Sequence, residues 1–366
     1  MAQPQFAPLA QKKIRVLVVD DSVVFRSLVS RMVEQDPLLD LVGTARNGAD
    51  AVAKIPRFEP DIITLDVEMP ELDGIGALRV IAGRYPQIRV IMFSSLTARG
   101  AQVTVEALMA GASDYMTKPV CGPVSSDIFL QLANELSGKV RALFPGRVAG
   151  QRKKHTVVPT PMLSAFRTAP LKIRLAPRVF VIGVSTGGPS ALAEIVPQIP
   201  ADFPLPIAIV QHMPPHFTRL LADRLTRVGN IPVIEAAEGM IARPGTALIA
   251  PGDYHMRLVQ DGAHLKVSLN QQPPENSCRP AVDVLFRSVA DACQGAVMAA
   301  VLTGMGQDGL LGARQLKELG ATVLVQDRAS SVVWGMPGAV AEAGVADQIL
   351  PLNQIVPTVL NKVGCR

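Results

Sequence analysis

Short apolar or β-rich runs alternate with amphipathic stretches along most of the chain. In the first third, IRVLVV (14–19), LDLVGTA (39–45), DIITLD (61–66), RVIMFS (89–94) and SDYMT (113–117) are separated by stretches such as 23–34, 74–84 and 100–110, where apolar residues recur at helical spacing. Such alternation predicts a parallel sheet with helices on both faces and a site in the loops after the strand C-termini. A helix near 123–144 ends this module. A second series follows, with strands expected at 178–183, 205–211, 231–236, 246–250, 296–302 and 321–326. Its helices are expected near 188–197, 216–228, 281–292, 307–319 and 352–362. Residues 254–270 break the rhythm, because alternating positions there flank Asp261-Gly262, a hairpin turn signal. The expected fold class is α/β: two doubly wound parallel-sheet domains, 12–144 and 178–366, the second with an added β-hairpin.

Composition changes this picture in one place. With 366 residues, 48% hydrophobic and 18% charged, the chain has material for two cores. Its apolar runs fall short of the ~20 residues of a membrane span, and the first residues carry no basic segment followed by an apolar one. No membrane insertion and a cytoplasmic location are therefore expected. The formal net charge of +5 would suggest nucleic acid if it were spread over the folded parts. Ten basic residues lie between Lys139 and Arg178, and no acid occurs from Ser137 to Ala193, so the remainder carries 5 − 10 = −5. Residues 145–177, with Pro145, Pro159, Pro161, Pro170 and Pro177, read as an extended basic linker, and nucleic acid is not an expected partner. Cys121, Cys278, Cys293 and Cys365 have no paired metal-type spacing and read as free thiols.

Chemistry gathers at the expected strand ends. Asp20 and Asp21 close the first strand and Asp66 the third, which brings three carboxylates to one edge. Like charges so placed are tolerated around a hard cation, and an oxygen-rich site with open water positions suits Mg²⁺. One carboxylate oxygen is left to attack phosphorus. Ser94 ends the fourth strand and Lys118 follows the fifth, where a hydroxyl and an ammonium can meet phosphoryl oxygens.

In the second module, VIGVSTGGPS places Ser185 on a glycine-rich strand-to-helix turn, the kind that presents a nucleophilic oxygen. A phosphate or dinucleotide turn is the competing reading, although Gly183, Gly187 and Gly188 lack the G-x-G-x-x-G spacing. IVQHMPPHF places His212 at the next strand end, and TGMGQDG places Asp308 in a turn at the same edge. In a triad, His212 takes the proton of Ser185 while Asp308 orients the imidazole, and backbone N–H groups near Thr186 and Met305 serve as oxyanion donors. His255 is the rival base, and Asp308 as a cap of the following helix is the rival use of that acid. His216 reads as a capping or surface residue, His264 as solvated and His155 as part of the linker.

The Asp20-Asp21, Asp66, Ser94 and Lys118-Pro119 set makes residues 14–120 resemble a response-regulator receiver domain. That resemblance implies Asp66 as phospho-acceptor, Asp20, Asp21 and the backbone carbonyl of Glu68 as metal ligands, Ser94 and Tyr115 as switch residues and Lys118 as phosphate partner. GVSTGG, QHMPP and TGMGQDG, with Ser185, His212 and Asp308, are similar to the receptor protein-glutamate methylesterase domain of bacterial chemotaxis. The two together imply a phosphorylation-activated serine hydrolase that demethylates glutamate methyl esters on chemoreceptor cytoplasmic helices and deamidates receptor glutamines. They imply a histidine kinase as phosphodonor, Mg²⁺ in the receiver and no cofactor for ester hydrolysis. In the family pattern the unphosphorylated receiver restricts access to the esterase site. A nucleotide-binding or non-receptor hydrolase output domain is the alternative.

Overall fold

The computed structural model describes residues 12–95, 97–119, 125–148 and 175–365. Cys121, His155 and most of the basic proline-containing segment lie outside the described residues. The chain divides into two compact units.

The first sheet comprises β1 (Ile14–Val19), β2 (Leu39–Ala45), β3 (Ile62–Asp66), β4 (Arg89–Ser94) and β5 (Asp114–Thr117), in the order β2-β1-β3-β4-β5. The intervening helices are α1 (Val23–Gln35), α2 (Gly48–Phe58), α3 (Gly74–Arg84) and α4 (Ala98–Met109), followed by α5 (Ser126–Leu143). β3 is buried throughout, as a strand of a sheet covered on both faces must be. Helix starts are written in the sequence: Ser22, Asn47, Asp73, Thr97 and Ser125 each accept a backbone N–H of the first turn that would otherwise lack a partner. The chain winds away from β1 in both directions, so the carboxyl ends of β1 and β3 flank the crevice where such sheets place ligands. Pro145–Val148, expected as the start of the linker, form a short helix, α6, whose Arg147 donates from Nη2 to Asp61 Oδ1 at 2.8 Å.

The second sheet runs β15-β14-β13-β6-β7-β10-β8 with every pairing parallel. Its strands are β6 (Val179–Val184), β7 (Ile207–Gln211), β8 (Val233–Glu235), β10 (Ala247–Ile249), β13 (Val297–Val301), β14 (Thr322–Gln326) and β15 (Gln348–Leu350). The helices are α7 (Gly188–Ile195), α8 (Phe217–Val228), α9 (Val282–Cys293), α10 (Leu310–Glu318), α11 (Met336–Glu342) and α12 (Leu352–Val363). Helix α9 lies close on the sheet because β6 has no side chain at Gly183, where a Cβ would come within 2.3 Å of Val282 Cγ1. Leu285, Phe286 and Val289 of α9 then join Val181, Val210 and Ala299 in one buried cluster, and the N-terminus of α9 reaches the carboxyl edge.

The expected hairpin is present and is larger than the sequence suggests. β11 (His255–Asp261) and β12 (His264–Asn270) pair antiparallel, and β9 (Ile241–Ala242) adds a third strand. Asp261 pairs with His264, so the turn is Gly262-Ala263 rather than Asp261-Gly262, with Gly262 at φ 58° supplying the positive φ of its first position.

Candidate active site

Three parallel strands bring the second unit's chemistry together. β6 pairs β7 with Val184 opposite Gln211, so Ser185 and His212 are the next residues at the same edge. The His212 N–H donates to Val184 O at 3.2 Å. On the other side of β6, β13 leads into the turn that carries Asp308. His212 Nε2 lies 2.8 Å from Asp308 Oδ2, and with a carboxylate as acceptor Nε2 is the nitrogen that bears the proton. Nδ1 is therefore the nitrogen left to receive one.

Asp308 is buried and heavily engaged. Its Oδ2 also accepts from Val282 N (2.6 Å), and its Oδ1 accepts from Asp283 N (3.0 Å), Gly309 N (2.9 Å) and Asn276 Nδ2 (3.0 Å). Val282 and Asp283 form the first turn of α9, whose N-cap residue Ala281 makes no side-chain cap bond. The carboxylate thus does cap a helix, but it caps α9, far away in sequence, and favours its own charge by facing a positive dipole end. Burial pushes the Asp308 pKa up, yet His212 and the α9 N–H groups outweigh it and hold it below the usual value. Burial likewise opposes charge on His212, but the Asp308 and Cys278 contacts prevail and raise its pKa to about 9.

The turn that carries Ser185 is held by hydrogen bonds to its backbone. Ser185 N donates to Thr303 O at 3.0 Å, Gly188 N donates to Ser185 O at 2.8 Å, and buried Gln211 donates from Nε2 to the carbonyls of Ser185 (3.0 Å) and His212 (3.2 Å). Gly187 has φ 76°, and a Cβ on Gly188 would fall 1.9 Å from Gln211 Oε1, so the turn accepts no side chain at either position. Ser185 and Thr186 are half-buried and Met305 is exposed. Thr186 O accepts from Thr303 Oγ1 at 2.9 Å.

His255 is almost fully buried and occupied on both ring nitrogens, with Ala281 N donating to Nδ1 (3.2 Å) and Nε2 beside Pro273 O (3.1 Å). It fixes the 271–281 loop. His216 begins α8 at φ 72° without a side-chain cap bond, and His264 is exposed in the hairpin.

That loop supplies two residues the sequence reading passed over. Glu275 and Cys278 exchange backbone bonds (3.1 and 2.8 Å) around Asn276 and Ser277, both at positive φ, as in a two-residue hairpin turn. The turn aims Asn276 at Asp308 and Asp283, and it places Cys278 Sγ 3.5 Å from His212 Nδ1. An Asn-Ser pair between two strand-like residues was the available signal.

In the first unit, Lys118 Nζ lies 2.7 Å from Asp20 Oδ2 and 2.8 Å from Asp66 Oδ1. Asp20 and Asp66 are buried and Asp21 is exposed, with one oxygen of each within 4.8 Å of the others. This oxygen-only set fits a hard cation. Burial, then the charge of Asp20, pushes the Asp66 pKa up to about 6 against the pull of Lys118. Buried Ser94 accepts Lys118 N at its carbonyl (2.7 Å), Glu68 is exposed, and half-buried Tyr115 donates its N–H to Asp114 Oδ1 (2.8 Å). Gly74 is a further requirement, since a Cβ there would sit 2.1 Å from Asp66 O.

Two receiver-type acids with a lysine, and a serine, histidine and aspartate at a parallel-sheet edge, define a response regulator carrying a serine-hydrolase-like output unit. The comparisons agree. The family model for CheB methylesterase matches residues 180–359, and that for the response regulator receiver domain matches 16–123. A protein-glutamate methylesterase/protein-glutamine glutaminase of Trichodesmium erythraeum is 48% identical over 96% of this chain and 99% of its own length. One of Nocardioides sp. is 50% identical over 96% of this chain and 95% of its own length. The crystal structure of the Thermotoga maritima CheB methylesterase catalytic domain, 41% identical, superposes with a TM-score of 0.50 over 51% of this chain and 99% of that one. The chain belongs to the family of receiver-linked protein-glutamate methylesterases. Among the described residues, no helix is long and apolar enough to cross a membrane.

Proposed function

We propose that this chain hydrolyses γ-glutamyl methyl esters on the cytoplasmic helices of chemoreceptors, deamidates receptor glutamines at the same site, and is switched on by phosphorylation of Asp66 from a histidine kinase. The observation that carries the reading is the 2.8 Å pairing of His212 with buried Asp308 at the strand end beside Ser185. Ser185 Oγ attacks the ester carbonyl as Nδ1 of His212 takes its proton, and the same proton then leaves with methanol. Asp308 keeps the ring oriented and balances the imidazolium. Backbone N–H groups near Thr186 and Met305 meet the oxyanion, each such donor being worth roughly 3 kcal/mol. Water repeats the sequence on the acyl-enzyme. An amide passes through the same intermediate, which accounts for the glutaminase activity in the relatives' names.

In the receiver, Asp20, Asp21, Asp66 and the Glu68 carbonyl would hold Mg²⁺, which when bound supplies positive charge opposite the phosphoryl oxygens. Asp66 provides the attacking oxygen, and Lys118 and Ser94 meet the transferred group. Methanol release from methylated receptor, with and without a small phosphodonor, tests the whole reading. The full chain should be stimulated by the donor, and Asp66→Asn should retain its basal rate and lose the stimulation. Equal stimulation of Asp66→Asn would remove Asp66 from the mechanism.

The histidine pKa sets the pH dependence. An imidazolium cannot accept the Ser185 proton, so with a pKa of about 9 the kcat/KM for ester hydrolysis should rise about tenfold per pH unit before levelling above pH 9. The groups facing the ring are Asp308 at Nε2 and Cys278 at Nδ1. Cys278→Ala removes one contact that raises the pKa, so its pH profile should shift to lower pH.

A further inference from the structure

Cys278 is one of three thiols among the described residues, and the other two differ from it in kind. Cys293 is buried in the core, with its pKa pushed up by burial, and Cys365 lies beyond α12 near the chain end. Half-buried Cys278 faces the imidazole nitrogen that the hydrolytic reaction needs, while Asp308 holds the opposite nitrogen. Sulfur, imidazole and carboxylate therefore stand in the order nucleophile, base, orienting acid, in a second set built on the same histidine. The backbone pairing of Glu275 with Cys278, the bonds of Arg279 to Asp253, and His255 under Ala281 fix the loop that presents the sulfur.

We propose that Cys278 is a peroxide-reactive thiol activated by His212, and that its oxidation to a sulfenic acid turns the hydrolase off. The inference rests on the hydrolase reading above. Sγ attacks one oxygen of a hydroperoxide and the S–O bond forms as the O–O bond breaks. The thiol proton passes through Nδ1 of His212 to the departing oxygen, which leaves as water or an alcohol. Sulfur is oxidised by two electrons and the peroxide is reduced by two. The added oxygen enters the gap between Sγ and Nδ1, and its O–H donates to the lone pair that Ser185 requires. Two equivalents of a thiol reductant return the cysteine and release water.

The test uses the full-length protein, hydrogen peroxide, and dimedone as the trap for sulfenic acid, with the labelled residue read by mass spectrometry. The wild-type protein should label at Cys278 at least about tenfold faster than at Cys293 or Cys365. In a parallel arm without dimedone, methanol release should fall at the same rate and return with dithiothreitol. Cys278→Ser, compared with its own untreated rate, should resist peroxide, and His212→Gln should label about tenfold more slowly at Cys278. Ser185→Ala should label like wild type, so this arm reads the thiol even if the hydrolase reading fails. Equal labelling in His212→Gln overturns the proposal. So does full labelling with methanol release unchanged, or loss of activity in Cys278→Ser, which would point to exposed Met305 as the target.

Discussion

Asp308→Asn is expected to lower kcat for ester hydrolysis about 10⁴-fold and to destabilise the second unit at the same time. The two effects share a cause. Asp308 accepts from Val282, Asp283, Gly309 and Asn276 as well as from His212, so an amide NH₂ in place of one oxygen points a donor at other donors around a buried side chain. Leaving buried donors unmatched costs about 1–3 kcal/mol each, and α9 loses the negative charge at its N-terminus. A net loss of about 3 kcal/mol lowers Tm by about 6–12 °C for a unit of this size, readable by calorimetry beside the kinetic assay. Were Asp308 no more than an ordinary surface cap, Tm would fall by a few degrees at most and kcat would hardly move.

Ser185→Ala is expected to show the opposite combination: a loss of about 10⁶-fold in kcat with Tm unchanged within about 2 °C. The bonds that shape its turn are made by the Ser185 backbone, to Thr303, Gly188 and Gln211, and alanine keeps every one of them. The expected pattern is that of a side chain that serves the chemistry and adds little to the fold. A variant that kept a tenth of its activity would place the nucleophile elsewhere.

The difference between the two residues marks what a sequence can carry. Strands buried on both faces announce themselves as apolar runs, and a residue that closes such a run, such as Asp66, Ser185 or His212, is placed at the sheet edge by that fact alone. The strand-end positions of Asp66, Ser185 and His212 were legible for this reason. Weak elements were not: β15 is a three-residue edge strand and α11 is a seven-residue apolar stretch with no side-chain cap, so neither has a period long enough to detect. The site residues contributed by the 271–281 loop were hidden for a different reason. The Asn276-Ser277 pair signals a turn, but nothing local says that this turn, clamped by Arg279 and His255, carries Asn276 and Cys278 onto Asp308 and His212. Cys278 thus read as an idle thiol, and Asp308 as a candidate cap for α10 rather than for α9.

Reaction with a fluorophosphonate tests the central claim most directly, because it asks whether the Ser185 hydroxyl is activated. Mass spectrometry should find the adduct on Ser185 alone in the wild-type protein and only a trace of it in His212→Gln. An adduct on another residue, or one that forms on Ser185 at the same rate without His212, would contradict the account.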